Sequence, residues 1–231
     1  RYAGNVTVTA GNVKLLNAVI QGDLLLAESV GDEDVILENV IVEGQIRIAG
    51  GGANSIYITG SSHMPHLYVN KKMGPVRIVL RDNVQVGTIT LQTRAFIINE
   101  TVKGKPRLFV RNGGNDESEF QGDFEEVGVD SSGSTIRFRG GNVDRVTVSG
   151  DATDSEMTLD DGQYVGHMVL NSNARIYGRG RIGQAEITAN GVNIERSPQI
   201  IKINDGLTAI IEGKVYPPET DENTSRDGGG D

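Results

Sequence analysis

Cysteine and tryptophan are absent, proline occurs only 6 times, and Phe and Tyr account for just 5% of the chain. Without cysteine there are no disulfides and no thiolate metal centres. No apolar run approaches the ~20 residues of a membrane-spanning helix, so membrane insertion is not expected. Spacings of three and four between apolar residues are missing as well, which removes long amphipathic helices and with them helical and α/β folds. The balance of charge is −9, and nucleic-acid binding needs a basic face that this composition does not supply. The chain opens with Arg1-Tyr2-Ala3-Gly4 and passes straight into alternating Asn5-Val6-Thr7-Val8-Thr9, so it reads as a mature or excised segment.

Glycine, by contrast, occurs 31 times, and it recurs in a pattern. Val35-Ile36-Leu37 and Ile46-Arg47-Ile48 flank a second apolar run and a corner at Glu43-Gly44. The same arrangement stands 22 residues earlier, from Val13 through Gly22 to Leu26, and again from Val76 through Gly87 to Leu91. Later versions run from Met157 to Leu170 and, shortened, from Ile176 to Ile187. Alternation places Val35 with Leu37, and Ile46 with Ile48, on one face. A return of short strands and glycine corners near 22 residues predicts an all-β fold, a single-stranded parallel β-helix over 1–215. Some ten rungs would make a rod of ~45–50 Å, each burying branched aliphatics worth roughly 1.5–3 kcal/mol apiece. Asn17, Asn39, Asp82 and Asp161 each precede a corner by the same interval and suit either turns alone or a stacked ladder.

The middle is less regular. Arg111 to Glu119 is polar and reads as a loop leaving the solenoid, with strand returning at Thr135-Ile136-Arg137-Phe138. Tyr216-Pro217-Pro218 stops the strands, and residues 216–231 read as an acidic, glycine-rich linker or tail.

Several groups are candidates for chemistry. Lyase action on an acidic glycan would need carboxylates beside a basic side chain. Asp116, Glu117, Glu119, Asp123, Glu125 and Glu126 lie near Arg107, Arg111, Arg137 and Arg139 in sequence. A hydrolase pair from adjacent Asp160 and Asp161 is poor, since neighbours on a strand point to opposite faces. Hard oxygens at Asp32, Asp34, Asp116 and Glu117 would suit calcium, the one metal the composition favours; no other cofactor is expected. His63 and His66 stand about five rungs from His167, with no third ligand near either in sequence. A carbohydrate would meet Tyr57 and Tyr68, which alternation points outward, and Arg107, Arg111, Arg137 and Arg139. Basic side chains at 71, 72, 77, 81, 94, 103 and 105 extend that reading to anionic glycans. The same cations equally serve as salt-bridge partners for acidic neighbours.

The run from Gly22-Asp23-Leu24-Leu25-Leu26 through Val35-Ile36-Leu37-Glu38-Asn39 to Gly44, followed by Gly50-Gly51-Gly52-Ala53-Asn54-Ser55-Ile56, resembles β-helical segments of Gram-positive cell-surface proteins. Those proteins often carry S-layer homology modules elsewhere in the chain. The likeness covers residues 13–91 best and weakens from 103 onward. It implies a right-handed parallel β-helix and an extracellular, wall-associated setting, to which the lack of cysteine conforms. It implies no catalytic residues. The expected role is non-catalytic, structural and adhesive, with wall or extracellular polysaccharide as a partner. End-to-end self-association into a homo-oligomer or filament is the expected molecular act, because Val6 to Val8 and Leu207 to Val215 would be open edges. The competing expectation is a carbohydrate-binding or polysaccharide lyase-like module acting on an acidic glycan.

Overall fold

A computed structural model describes residues 1–53, 56–114 and 117–218. It is a parallel β-solenoid of about 11 turns, with two sheets enclosing one aliphatic core. Sheet A stacks β1 (Val6–Val8), β4 (Leu24–Leu26), β7 (Gln45–Ile48), β9 (His63–Val69), β11 (Gln85–Leu91), β13 (Arg107–Val110) and β15 (Phe124–Val129). It continues through the second half of β16 (Thr135–Val148), then β18 (Gln163–Leu170), β20 (Arg181–Ile187) and β22 (Ile200–Ile203). Two short strands, β3 (Val19–Ile20) and β6 (Ile41–Val42), extend its early rungs. Sheet B stacks β2 (Val13–Leu16), β5 (Val35–Glu38), β8 (Ile56–Thr59), β10 (Val76–Asp82), β12 (Ala95–Thr101) and β14 (Glu117–Gly122). The first half of β16, then β17 (Ser155–Leu159), β19 (Ala174–Gly178), β21 (Val192–Ile194) and β23 (Ala209–Ile211) complete it. The only helical element among the described residues is a single 3₁₀ turn at Glu28–Val30.

Alternation sets the core as expected. Val35, Leu37, Ile46 and Ile48 are all fully buried, and each stacks on its counterparts in the coils above and below. In the middle the aliphatic columns give way to Phe120, Phe124 and Phe138, with Phe120 meeting Phe138 edge-on at a centroid distance of 5.7 Å.

The period is not constant. Along sheet A the steps Leu24–Ile46–Leu67–Ile89 span 22, 21 and 22 residues. From Ile89 through Leu108 and Val127 to Val146 each step spans 19, the step Val146–Met168 spans 22 again, and the last steps, Met168–Ala185–Ile201, span 17 and 16. Residues are lost mainly from corners: 70–75 separate β9 from β10, whereas only 92–94 separate β11 from β12.

The glycines expected at corners lie instead within sheet A, Gly22 between β3 and β4, Gly44 between β6 and β7, and Gly87 inside β11, where stacked coils approach closely. A Cβ on Gly44 would stand 2.7 Å from the Gly22 carbonyl oxygen of the coil below, and one on Gly87 would stand 2.6 Å from that of Pro65. The Asn and Asp positions mark the turn from sheet B to sheet A. Asn17, Asn39 and Asp82 all have positive φ, at 50°, 54° and 62°, and Gly60 takes the intervening coil at 68°. The side chains form a ladder: Asn39 Nδ2 donates to Asn17 Oδ1 at 3.1 Å, and the Ser61 and Gly60 amides donate to Asn39 Oδ1 and Asp82 Oδ2. Asp161 does not join it; there Gly162 adopts the left-handed conformation.

Two expectations are corrected. The polar middle does not leave the solenoid until Thr135. Strand returns at Glu117 as β14, and β15 follows before Asp130. Its alternation was masked by composition: Glu117 and Glu119 face outward while Ser118 and Phe120 point inward. The closing segment 207–215 is not one open parallel edge. β24 (Lys214–Tyr216) folds back antiparallel on β23. The reversal is a two-residue turn, Glu212-Gly213, with both φ positive, at 50° and 73°, the geometry that fits the twist of a hairpin. Residues 219–231, most of the expected tail, lie outside the described residues.

Candidate functional site

The six residues expected to bind carbohydrate divide between the two faces of the rod. Tyr57, Arg137 and Arg139 project from sheet B, whereas Tyr68 and Arg107 project from sheet A and Arg111 follows at its edge. On sheet B a depression of about 350 Å³ has Phe96, Ile98 and Gln121 in its lining, with Arg77, Arg139 and Glu119 beside them. Phe96, Ile98 and Gln121 were missed because each looks ordinary in sequence; only the strand registers Tyr57–Val79–Ile98–Gln121 and Arg77–Phe96–Glu119 bring them together.

The outward rings are not bare. Guanidinium carbons lie over Tyr57 at 6.0 Å from Arg77 and 5.5 Å from Arg81, over Phe96 at 5.9 Å from Arg94, and over Phe109 at 5.3 Å from Arg107. A pyranose stacking there would have to displace a cation–π contact worth roughly 0.5–1 kcal/mol at an exposed site.

The basic and acidic candidates mostly meet one another across rungs. Arg107 pairs with Glu126 at 2.8 Å, Arg111 with Asp130 at 3.1 Å, Arg139 with Glu119 at 2.7 Å, and Arg137 with Asp160 at 3.1 Å. Asp160 also lies 3.8 Å from Arg139, so sheet B carries a small network. Hydrogen bonding to Glu119 raises the pKa of the Arg139 guanidinium, away from the range of a proton acceptor.

The residues expected to hold calcium are not brought together. Asp32 accepts from Lys71 Nζ at 2.5 Å in the turn before β5, and Asp34 follows in the same turn. Glu117 is in β14, four rungs further along sheet B, and Asp116 lies outside the described residues. His63 and His66 share β9, and His167 is in β18, where it meets Gln184 and Glu186. Among the described residues no three His, Asp or Glu side chains form a metal-binding group.

No protein-family model matches the chain, and no curated protein matches it. A solved structure does: chitinase ChiW from Paenibacillus sp. str. FPU-7, described as a bacterial cell-surface-expressed multi-modular enzyme machinery. The likeness has a TM-score of 0.58 at 25% identity and covers 68% of this chain but 14% of ChiW. It extends the fold to a part of a larger surface protein, not to that protein as a whole.

Proposed function

We propose that the chain is a non-catalytic β-solenoid module of a bacterial cell-surface protein, where it acts as a rigid structural and adhesive element outside the cell. The observation that carries this reading is the cross-rung pairing of the candidate acids and bases. Arg107, Arg111, Arg137 and Arg139 each hold a carboxylate of a neighbouring coil, and the pairs are spread over two faces. Such pairs suit a stacked rod better than a proton-transfer site, which needs convergent groups with matched acidity. The likeness to part of a cell-surface multi-modular chitinase supports the setting. An S-layer-type envelope is the finer form of the same reading. Within it, a capped module is favoured over an end-to-end filament, because the β23–β24 hairpin occupies the last edge of sheet B.

The test is incubation with chitin oligosaccharides, polygalacturonate and alginate, following reducing ends and the absorbance of unsaturated product. No turnover is expected. Robust turnover that disappears in Arg137→Ala would replace this reading with the lyase. Immunolabelling of intact source cells checks the location; signal only after lysis would remove the surface setting.

A further inference from the structure

The turn between β20 and β21 holds residues 188–191, and the neighbouring coils pin it from both sides. In the preceding coil, Leu170 O accepts the Thr188 amide at 3.0 Å and Asn171 Oδ1 accepts the Thr188 hydroxyl at 2.7 Å. In the following coil, the Thr208 amide donates to Asn190 Oδ1 at 3.1 Å. Gly191 has φ 80°, and a Cβ there would stand 2.9 Å from the Cβ of Asn173. Asn173 is itself held, since its side chain accepts from the Asp154 amide and donates to the Asp154 carboxylate. The stack therefore asks for a short side-chain acceptor at 190 and for glycine at 191. Both residues are exposed.

These two requirements together make a chemically labile pair. Asparagine is among the thermolabile residues, and a following glycine leaves the main-chain nitrogen with no side chain to shield it. If that nitrogen attacks Asn190 Cγ, negative charge develops on Oδ1, where the Thr208 amide already donates. The chain has one other Asn-Gly pair, Asn112-Gly113, and the structure separates the two. Asn112 is only 8% exposed, its Nδ2 contacts Ser118 Oγ at 3.5 Å, and its main-chain carbonyl accepts from Ser134 Oγ at 3.1 Å. Ring closure requires the side chain to swing toward the next nitrogen, and close packing at Asn112 leaves no room for that movement.

We propose that Asn190-Gly191 is a self-modifying site that ages the last described coils of the rod. The Gly191 nitrogen gives up its proton to base and bonds to Asn190 Cγ. The side-chain nitrogen leaves as ammonia, and a cyclic succinimide remains. Water then opens the ring at either carbonyl. Opening at Cγ leaves aspartate and an unchanged main chain. Opening at the main-chain carbonyl leaves isoaspartate, whose main chain runs through Cβ and is longer by that atom. No electrons are exchanged, and water and base are the only other reactants. A turn pinned at Thr188 and at residue 190 cannot absorb the added atom, so isoaspartate loosens β21 and the β23–β24 hairpin beside it. The proposal does not rest on the surface-module reading.

The test is storage of the folded chain in mildly acidic and mildly alkaline buffer, followed by peptide mapping with mass spectrometry. Enzymatic methylation distinguishes isoaspartate from aspartate. Conversion at Asn190 is expected to outpace that at Asn112 several-fold and to quicken as the pH rises. The thermal midpoint of stored wild type should fall as isoaspartate accumulates. Asn190→Gln, whose longer side chain closes a ring far more slowly, should keep its midpoint through the same storage. Freshly prepared Asn190→Asp carries the new charge on a main chain of normal length and should match unstored wild type. The proposal is overturned if Asn190 stays intact or if Asn112 converts as fast. It is equally overturned if isoaspartate accumulates with no fall in midpoint, or if fresh Asn190→Asp is as unstable as stored wild type.

Discussion

At the scale of single residues, the solenoid depends on backbone conformations that few side chains tolerate. Asn39 sits at φ 54° and also links three coils, accepting from the Ser61 amide and donating to Asn17. Asn39→Ala combines left-handed strain of roughly 1–2 kcal/mol with the loss of two exposed hydrogen bonds of about 0.5–1.5 kcal/mol each. Asn39→Gly loses the bonds but not the conformation. Urea denaturation should therefore rank wild type above glycine above alanine. Equal stability of the two variants would show that strain plays no part. The position was legible from the return of Asn17, Asn39 and Asp82, and both readings of it, turn and ladder, hold at once. The failure at Asp161 has a physical cause: glycine at the next position supplies the positive φ at no steric cost. Phe96, Ile98 and Gln121 carried no such signal, for only the pairing of their strands brings them together.

At the scale of strands, period-two alternation identified inward and outward residues from Val35 to Leu91, and it fails where polar residues face both ways. β14 reads Glu-Ser-Glu-Phe-Gln-Gly, and its buried Ser118 hides the inward face. The aromatic layer that begins there should be the least forgiving part of the core. Phe138→Ala removes a ring that is 1% exposed and packed edge-on against Phe120, and the expected loss is about 3–5 kcal/mol by chemical denaturation. The ion pairs outside the same strands should weigh much less. Arg107 and Glu126 have side chains 46% and 23% exposed, so a double-mutant cycle is expected to give a coupling below about 1 kcal/mol. One pair reads out through pH. Asp144, two coils from Lys105, accepts from its ammonium at 2.8 Å and raises its pKa above the ordinary 10.5. A raised value means that the stabilisation is complete below pH 10.5 and is lost as the pH climbs through the higher folded value. The gap in thermal midpoint between wild type and Lys105→Met should thus be constant near neutrality and close in the alkaline range. A gap that widens there would reverse the assignment.

At the scale of the whole molecule, the last described rung is closed differently in its two sheets. A terminal rung presents unpaired N–H and C=O groups along both sheets, a template for another chain. The rung period revealed the stack, but the closing device was not legible. A hairpin is usually announced by Asn-Gly or Asp-Gly, and here Glu212-Gly213 makes the turn instead. β24 covers the edge of β23, whose Ala209 and Ile211 complete the core at 3% and 1% exposure, while Ile210 and Val215 remain 43% and 59% exposed. The hairpin therefore occupies the edge of β23 on which a further parallel strand would pair. Glu212→Val with Gly213→Val places β-branched side chains at two positive φ angles and should detach β24 while leaving the upstream coils intact. The freed edge of β23 is then open to the first strands of a second copy, a head-to-tail contact that does not close. Light scattering over a concentration series should find wild type independent of concentration and the double variant growing with it. Growth of the wild type to the same extent would mean that the hairpin is no cap, and that the rod assembles through sheet A despite it.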